Sequence, residues 1–152
     1  MKNKFYFILI CILILFTSCT YLSENKKVDN YYTSNLIELI NAEDNYTCSI
    51  FDMNLYKERD LNTDDFYIVE NFTKALNEKS FTKKPSDLDE KPAYKMILTF
   101  HKDKYVINVY NSKYATIHPW DGDKEMDYID MSNIPISYNL FYLCNYIFSG
   151  KY

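Results

Sequence analysis

The chain has 152 residues, a formal net charge of −4 and an aromatic content of 18%. An acidic balance argues against nucleic acid as a partner and against charge-driven adsorption onto anionic lipid. Gly122 and Gly150 are the only glycines, which excludes a glycine-rich loop that cradles phosphate.

Residues 12–19 read ILILFTSC. The apolar run from Phe5 to Phe16 would be roughly 18 Å long as a helix at about 1.5 Å per residue, short of the roughly 30 Å of hydrocarbon in a bilayer. With Lys2 and Lys4 ahead of it, the segment has the layout of a signal peptide, residues 1–18. Phe16-Thr17-Ser18-Cys19 resembles the lipobox of bacterial lipoproteins, with Phe16 in place of the usual Leu. That resemblance implies diacylglycerol on Cys19, which becomes the first mature residue. Acyl chains contribute about 0.8 kcal/mol per buried methylene, and two chains hold stably. The expected location is the outer face of the cytoplasmic membrane, with the membrane as a partner through Cys19.

Residues 19–32 are polar and unpatterned and read as a tether. The remainder, 33–152, is long enough for one domain with one core. Sixteen tyrosines accompany heavy Asn, Lys and Ile usage, a bias that A+T-rich codons alone produce, so they do not mark an aromatic binding surface.

Ser34 precedes a short helix over NLIELIN, with Leu36, Leu39 and Ile40 inward. The alternation in CSIFDMNLY predicts a strand from Cys48 to Lys57, with Phe51, Met53 and Leu55 on one side. Asn62 can cap a helix over 63–79 in which Phe66, Val69, Phe72 and Leu76 recur at helical spacing. Two prolines and mixed charges make 81–92 an exposed loop. A last helix, 135–148, is capped by Ser137 and closed by Gly150, with Leu140, Leu143, Cys144 and Ile147 inward.

Between these helices, residues 93–130 read as an antiparallel meander. A two-residue turn at Lys102-Asp103 sets Phe100 against Tyr105, Leu98 against Ile107 and Met96 against Val109. A three-residue turn at Asn111, Ser112 and Lys113 sets Val109 against Ala115 and Ile107 against Ile117. An Asp121-Gly122 hairpin then pairs Ile117 with Met126 and Ala115 with Tyr128. The fold class is therefore α+β, a four- to five-stranded antiparallel sheet with helices 63–79 and 135–148 on one face.

The stretches YVINVYNSKYATIHPWDGDKEMDYIDMSNIPISYNLFYLCNYI and FDMNLYKERDLNTDDFYIVENF resemble a small family of uncharacterised clostridial lipoproteins of about this length. The resemblance covers nearly the whole mature chain and implies a Gram-positive cell surface. It carries no assigned activity and no catalytic residue.

The predicted register places Tyr114, Thr116, His118 and Trp120 on the sheet face away from the helices, with Asp123, Glu125 and Asp127, and sets His118 across from Glu125. An indole beside carboxylates, a histidine and a hydroxyl could stack on a sugar ring or hold a cationic ligand. The bland alternative is a solvated sheet face. Val106, Tyr110 and Ile129 enlarge that face, so a protein partner or the amino-terminal helix is expected to cover it.

The leading expectation is a non-enzymatic binding or interaction module for a surface protein or cell-wall ligand. The alternative is a wall-directed hydrolase using Glu125 or Asp127 as acid or base. DGDKEMD lacks EF-hand spacing, and Cys48, Cys144, His101 and His118 show no zinc-ligand spacing, so no metal or cofactor is expected. Cys48 and Cys144 either form a disulfide across a long loop or remain buried free thiols.

Overall fold

The computed structural model describes residues 30–43, 45–122 and 125–150. Seven strands form one antiparallel sheet: β1 Thr47–Asp52, β2 Lys57–Asp60, β3 Phe81–Thr82, β4 Tyr94–Thr99, β5 Lys104–Val109, β6 Tyr114–Pro119 and β7 Asp127–Asp130, in the order β2-β1-β4-β5-β6-β7-β3. Among the described residues, three α-helices, α1 Tyr31–Ala42, α2 Phe66–Ala75 and α3 Leu140–Ser149, cover one face. The α+β class and the helix-covered meander match the sequence expectation; the sheet is wider than four or five strands.

The extra width has local causes. The expected strand 48–57 is a hairpin, because the Asp52 carboxylate accepts the backbone N–H groups of Asn54 and Leu55 at 2.8 Å and ends β1 there. Its inward residues are Cys48, Ile50 and Asp52, whereas Leu55, expected to share a strand side with Phe51 and Met53, is exposed at the hairpin tip. On the far side of the sheet, Phe81 and Thr82 leave the expected loop to pair with Ile129 and Tyr128.

The helices are shorter or shifted relative to their sequence patterns. Helix α1 begins at Tyr31, taking in two residues expected in the tether. Helix α2 is entered through a 3₁₀ turn at Thr63–Asp65 and stops at Ala75, where Leu76 turns extended; Asn62 makes no side-chain cap. Helix α3 is capped by Asn139 rather than Ser137, its Oδ1 accepting the Phe141 N–H at 3.1 Å. It closes as expected at Gly150, whose φ of 69° is left-handed backbone that glycine takes without a steric cost. The chain's single arginine, Arg59 on β2, donates to the Ile147 carbonyl in the last turn of α3 and lies over the Phe148 ring.

Helix-side residues form the core: Ile50, Met96, Leu98, Ile107, Val109, Ile117 and Ile129 pack with Leu36, Phe72 and Leu140. The β5–β6 register is the predicted one, Ile107 opposite Ile117 and Val109 opposite Ala115. Its turn is held by Asn111 Oδ1, which accepts the N–H groups of Lys113 and Tyr114 at 2.9 Å. In the β4–β5 hairpin, Leu98 faces Tyr105 and Met96 faces Ile107, two positions from the predicted pairing. The Phe100 N–H meets the Asp103 carbonyl, putting the turn on His101-Lys102, and the Glu43 carboxylate accepts the His101 N–H at 3.0 Å. Because the shift is even, every residue keeps its expected face.

The β6–β7 pair differs by one position. Ala115 faces Ile129 and Ile117 faces Asp127, so the whole of β7 is inverted relative to the expected Asp-Gly hairpin. The chain instead turns at once after β6, the Gly122 N–H donating to the Pro119 carbonyl at 3.0 Å. A Cβ on Gly122 would lie 2.6 Å from Pro119 Cγ, so this close approach requires glycine. Ile129, expected on the open face, is fully buried beneath the helices.

Candidate functional site

The face without helices is assembled from alternate residues of β4, β5 and β6. Lys95 stands opposite Asn108 and Asn108 opposite Thr116; in the adjoining row Ile97 stands opposite Val106 and Val106 opposite His118. After β6, the Trp120 N–H donates to the Lys104 carbonyl at 2.8 Å, which keeps the indole beside this face. Lys95, Ile97, Val106, Asn108, His118 and Trp120 together line an open depression of about 220 Å³. Ile97 and Val106 give it apolar surface, and Trp120, 58% exposed, gives it an aromatic wall.

Polar groups in the depression are linked to one another. The His118 Nδ1–H donates to the Pro119 carbonyl, 2.9 Å away, which leaves Nε2 as an acceptor for Asn108 Nδ2 at 3.2 Å. The same Asn108 amide nitrogen donates to Thr116 Oγ1 at 3.2 Å. Asn108 is only 7% exposed, and its Oδ1 has no hydrogen-bond partner. A buried acceptor left in that state costs roughly 1–3 kcal/mol.

Two lysines frame the site. Lys104 Nζ lies over the Trp120 ring, 4.9 Å from its centroid, and Lys95 lines the depression itself. Among the described residues neither ammonium has a carboxylate partner, the ion pairs being Lys74 with Glu70 and Lys113 with Asp87. At the other end of the face, the loop after β3 folds over β6: Tyr114 donates its hydroxyl to the Asp87 carboxylate at 3.1 Å, and Asn111 donates to Asp89.

Of the residues expected to share this face, Tyr114, Thr116, His118 and Trp120 do so, although Tyr114 and Thr116 are buried. Asp127 does not. The inverted register turns it under the helices, where it is 3% exposed and its Oδ2 accepts the Thr33 N–H at 2.6 Å. Helix α1 has no acidic residue of its own in its first turn and no side-chain cap from Asn30, so β7 supplies the anion that its amino-terminal dipole favours. Glu125 is exposed before β7 and does not line the depression. The expected His118–Glu125 pair and the Glu125–Asp127 acid-base pair are therefore not assembled. Asp123 and Cys19 lie outside the described residues.

The amino-terminal helix, expected as a cover for this face, packs on the other side through Leu36 and Ile40. Cys48 and Cys144 are free thiols buried on that same side, with no bridge between them. Burial pushes the Cys48 thiol up to about 12, with the Asp60 charge adding to the shift. Burial likewise raises Cys144 well above the usual thiol range, with Cys48 adding to it.

Lys95, Ile97 and Asn108 were missed from sequence, although the alternation of β4 and β5 already placed them on the face of His118. A second hollow of about 340 Å³ lies between α1 and the β4–β5 turn, lined by Asn35, Glu38, Leu39, Ala42, Asp103 and Tyr105. Burial raises the Tyr105 hydroxyl, while a hydrogen bond with Asn35 opposes the shift. Among the described residues, this hollow holds no orphaned buried polar atom.

The model of a domain of unknown function, DUF4883, matches residues 26–144. A crystal structure of a protein provisionally described as a lipoprotein, from Clostridium perfringens, is similar over 78% of this chain and 94% of that one, at 35% identity and a TM-score of 0.73. Comparison with curated proteins gives no match.

Proposed function

Because the chain belongs to the DUF4883 family, in keeping with its resemblance to clostridial lipoproteins, we infer that it is an extracytoplasmic binding module. Lipid on Cys19 tethers it to the outer face of the cytoplasmic membrane, and it recognises its ligand with the helix-free sheet face around Trp120. The observation that carries this reading is the depression beside Trp120, where a largely exposed indole, apolar side chains and a buried amide whose oxygen has no donor converge. The similar Clostridium perfringens protein, itself provisionally described as a lipoprotein, supports the anchoring half.

Each half has its own test. Metabolic labelling with a palmitate analogue marks the wild-type chain and leaves Cys19→Ala unmarked; equal labelling removes the anchor. Trp120 is the only tryptophan, so its emission reports on this face alone. Titration of the mature chain with cell-wall fragments and candidate surface proteins gives a saturable change in that emission. Silence towards all of them counts against a binding role for the face.

A further inference from the structure

Resting on that reading, we propose that the depression takes a single sugar ring carrying a carboxylate. The sign of the charge decides between ligands. Had Glu125 and Asp127 joined His118 and Trp120, the site would have suited a cation. With Asp127 turned under the helices and Glu125 outside the lining, the charged side chains that line the depression or lie over its indole are Lys95 and Lys104. Neither has a described carboxylate partner, in a chain that is acidic as a whole. Two uncompensated cations beside a partly apolar depression attract an anion.

Ring and hydroxyls follow from the remaining lining. The indole of Trp120, with Ile97 and Val106 beside it, offers the flat apolar surface on which the C–H face of a sugar rests. Asn108 lines the depression and its Oδ1 lacks a donor, which a ligand hydroxyl that reaches it would supply. The volume, about 220 Å³, is below the roughly 300–1,000 Å³ typical of clefts for drug-sized ligands. That space accommodates one ring.

Two acidic sugars, glucuronate and N-acetylmuramate, represent two sources of this chemistry, a uronic-acid polymer and the wall glycan. Each is titrated into the mature chain while Trp120 emission and the indole and Asn108 amide resonances in a ¹⁵N spectrum are followed, with glucose and glucosamine as neutral and cationic counterparts. At least one acidic sugar is expected to give saturable shifts at both residues and to bind more tightly than glucose, with glucosamine weakest. Lys95→Gln and Lys104→Gln each weaken the acidic sugar by roughly fivefold, the upper end for an exposed ion pair, with the rest of the spectrum unchanged. Glucosamine binding as tightly as the acidic sugars overturns the anionic assignment and leaves the binding face standing. Failure of both acidic sugars to saturate overturns it as well; if wall fragments and surface proteins are also silent, the broader reading falls with it.

Discussion

Ile107 and Val106 are neighbours on β5, and both are enclosed, but on opposite faces and by different means. Ile107 has no exposed surface and packs between Met96 and Ile117 under the helical layer. Val106 retains 5% exposure on a side with no helix, in a row with Ile97 and His118 and near the indole. One face is closed by secondary structure and the other by long side chains that are themselves partly wet. The contrast separates what specifies the fold from what is left available for recognition.

Paired truncations on β5 test it most severely. Ile107→Ala should cost about 2–5 kcal/mol in urea denaturation, the range for a large buried aliphatic whose site cannot collapse. Val106→Ala should cost less than half as much, because the side chains over it can settle into the space. Equal losses would mean that the open side is a second core.

Alkaline pH probes the closed side through its thiols. An unfolded cysteine ionises near 9.0, whereas Cys48 in the folded chain holds its proton up to about 12 because burial penalises the thiolate. The folded state thus retains a proton that the unfolded chain has released. The stability it carries is complete below pH 9 and declines between pH 9 and about 12. Three pH units at about 1.36 kcal/mol each make this roughly 4 kcal/mol. Cys144, raised by burial in the same direction, and Tyr46, which burial pushes up to about 12, steepen the decline. Cys48→Ala should flatten the pH profile measured by urea denaturation, whatever it does to stability at neutral pH. At pH 8, neither Cys48 nor Cys144 should react with a thiol reagent until denaturant is added.

The parity of β7 is the point at which sequence reasoning and three-dimensional structure part. Alternation along β4, β5 and β6 was enough to assign their faces, since Asn111 fixes the β5–β6 turn from within the turn itself. The β4–β5 turn moved by one residue because Glu43, far away in sequence, catches the His101 N–H, but an even shift in pairing left every face intact. At β7 the local Asp-Gly signal lost to two other demands. Pro119 and Gly122 close their own turn, and Asp127 is drawn to the amino terminus of a helix 94 residues earlier. Local pattern could not show that contact, so the aromatic half of the face was legible and the inward position of Asp127 was not.

Asp127 therefore serves as a test of that inversion. Asp127→Ala should destabilise the fold by about 1–3 kcal/mol, leaving the buried Thr33 N–H without its acceptor and the dipole of α1 without its anion. Asp127→Asn keeps an oxygen for the Thr33 N–H and should cost less than the alanine change. Thermal and urea unfolding of the two variants measure the difference. If Asp127→Ala is as stable as the wild type, β7 does not face the helices.

The smallest effect belongs to Trp120. An exposed cation–π contact is worth about 0.5–1 kcal/mol, and surface changes away from special features fall within about ±0.5 kcal/mol. Lys104→Gln should therefore shift Trp120 emission while moving the urea midpoint little, and Trp120→Ala should leave the fold nearly as stable as before. A loss that small would leave the indole, which lines a depression with an orphaned buried acceptor, free for the binding role proposed for this face. A loss above about 2 kcal/mol on Trp120→Ala would instead make the indole a structural lid over Val106 and His118, and the open face would be a core that happens to lack helices.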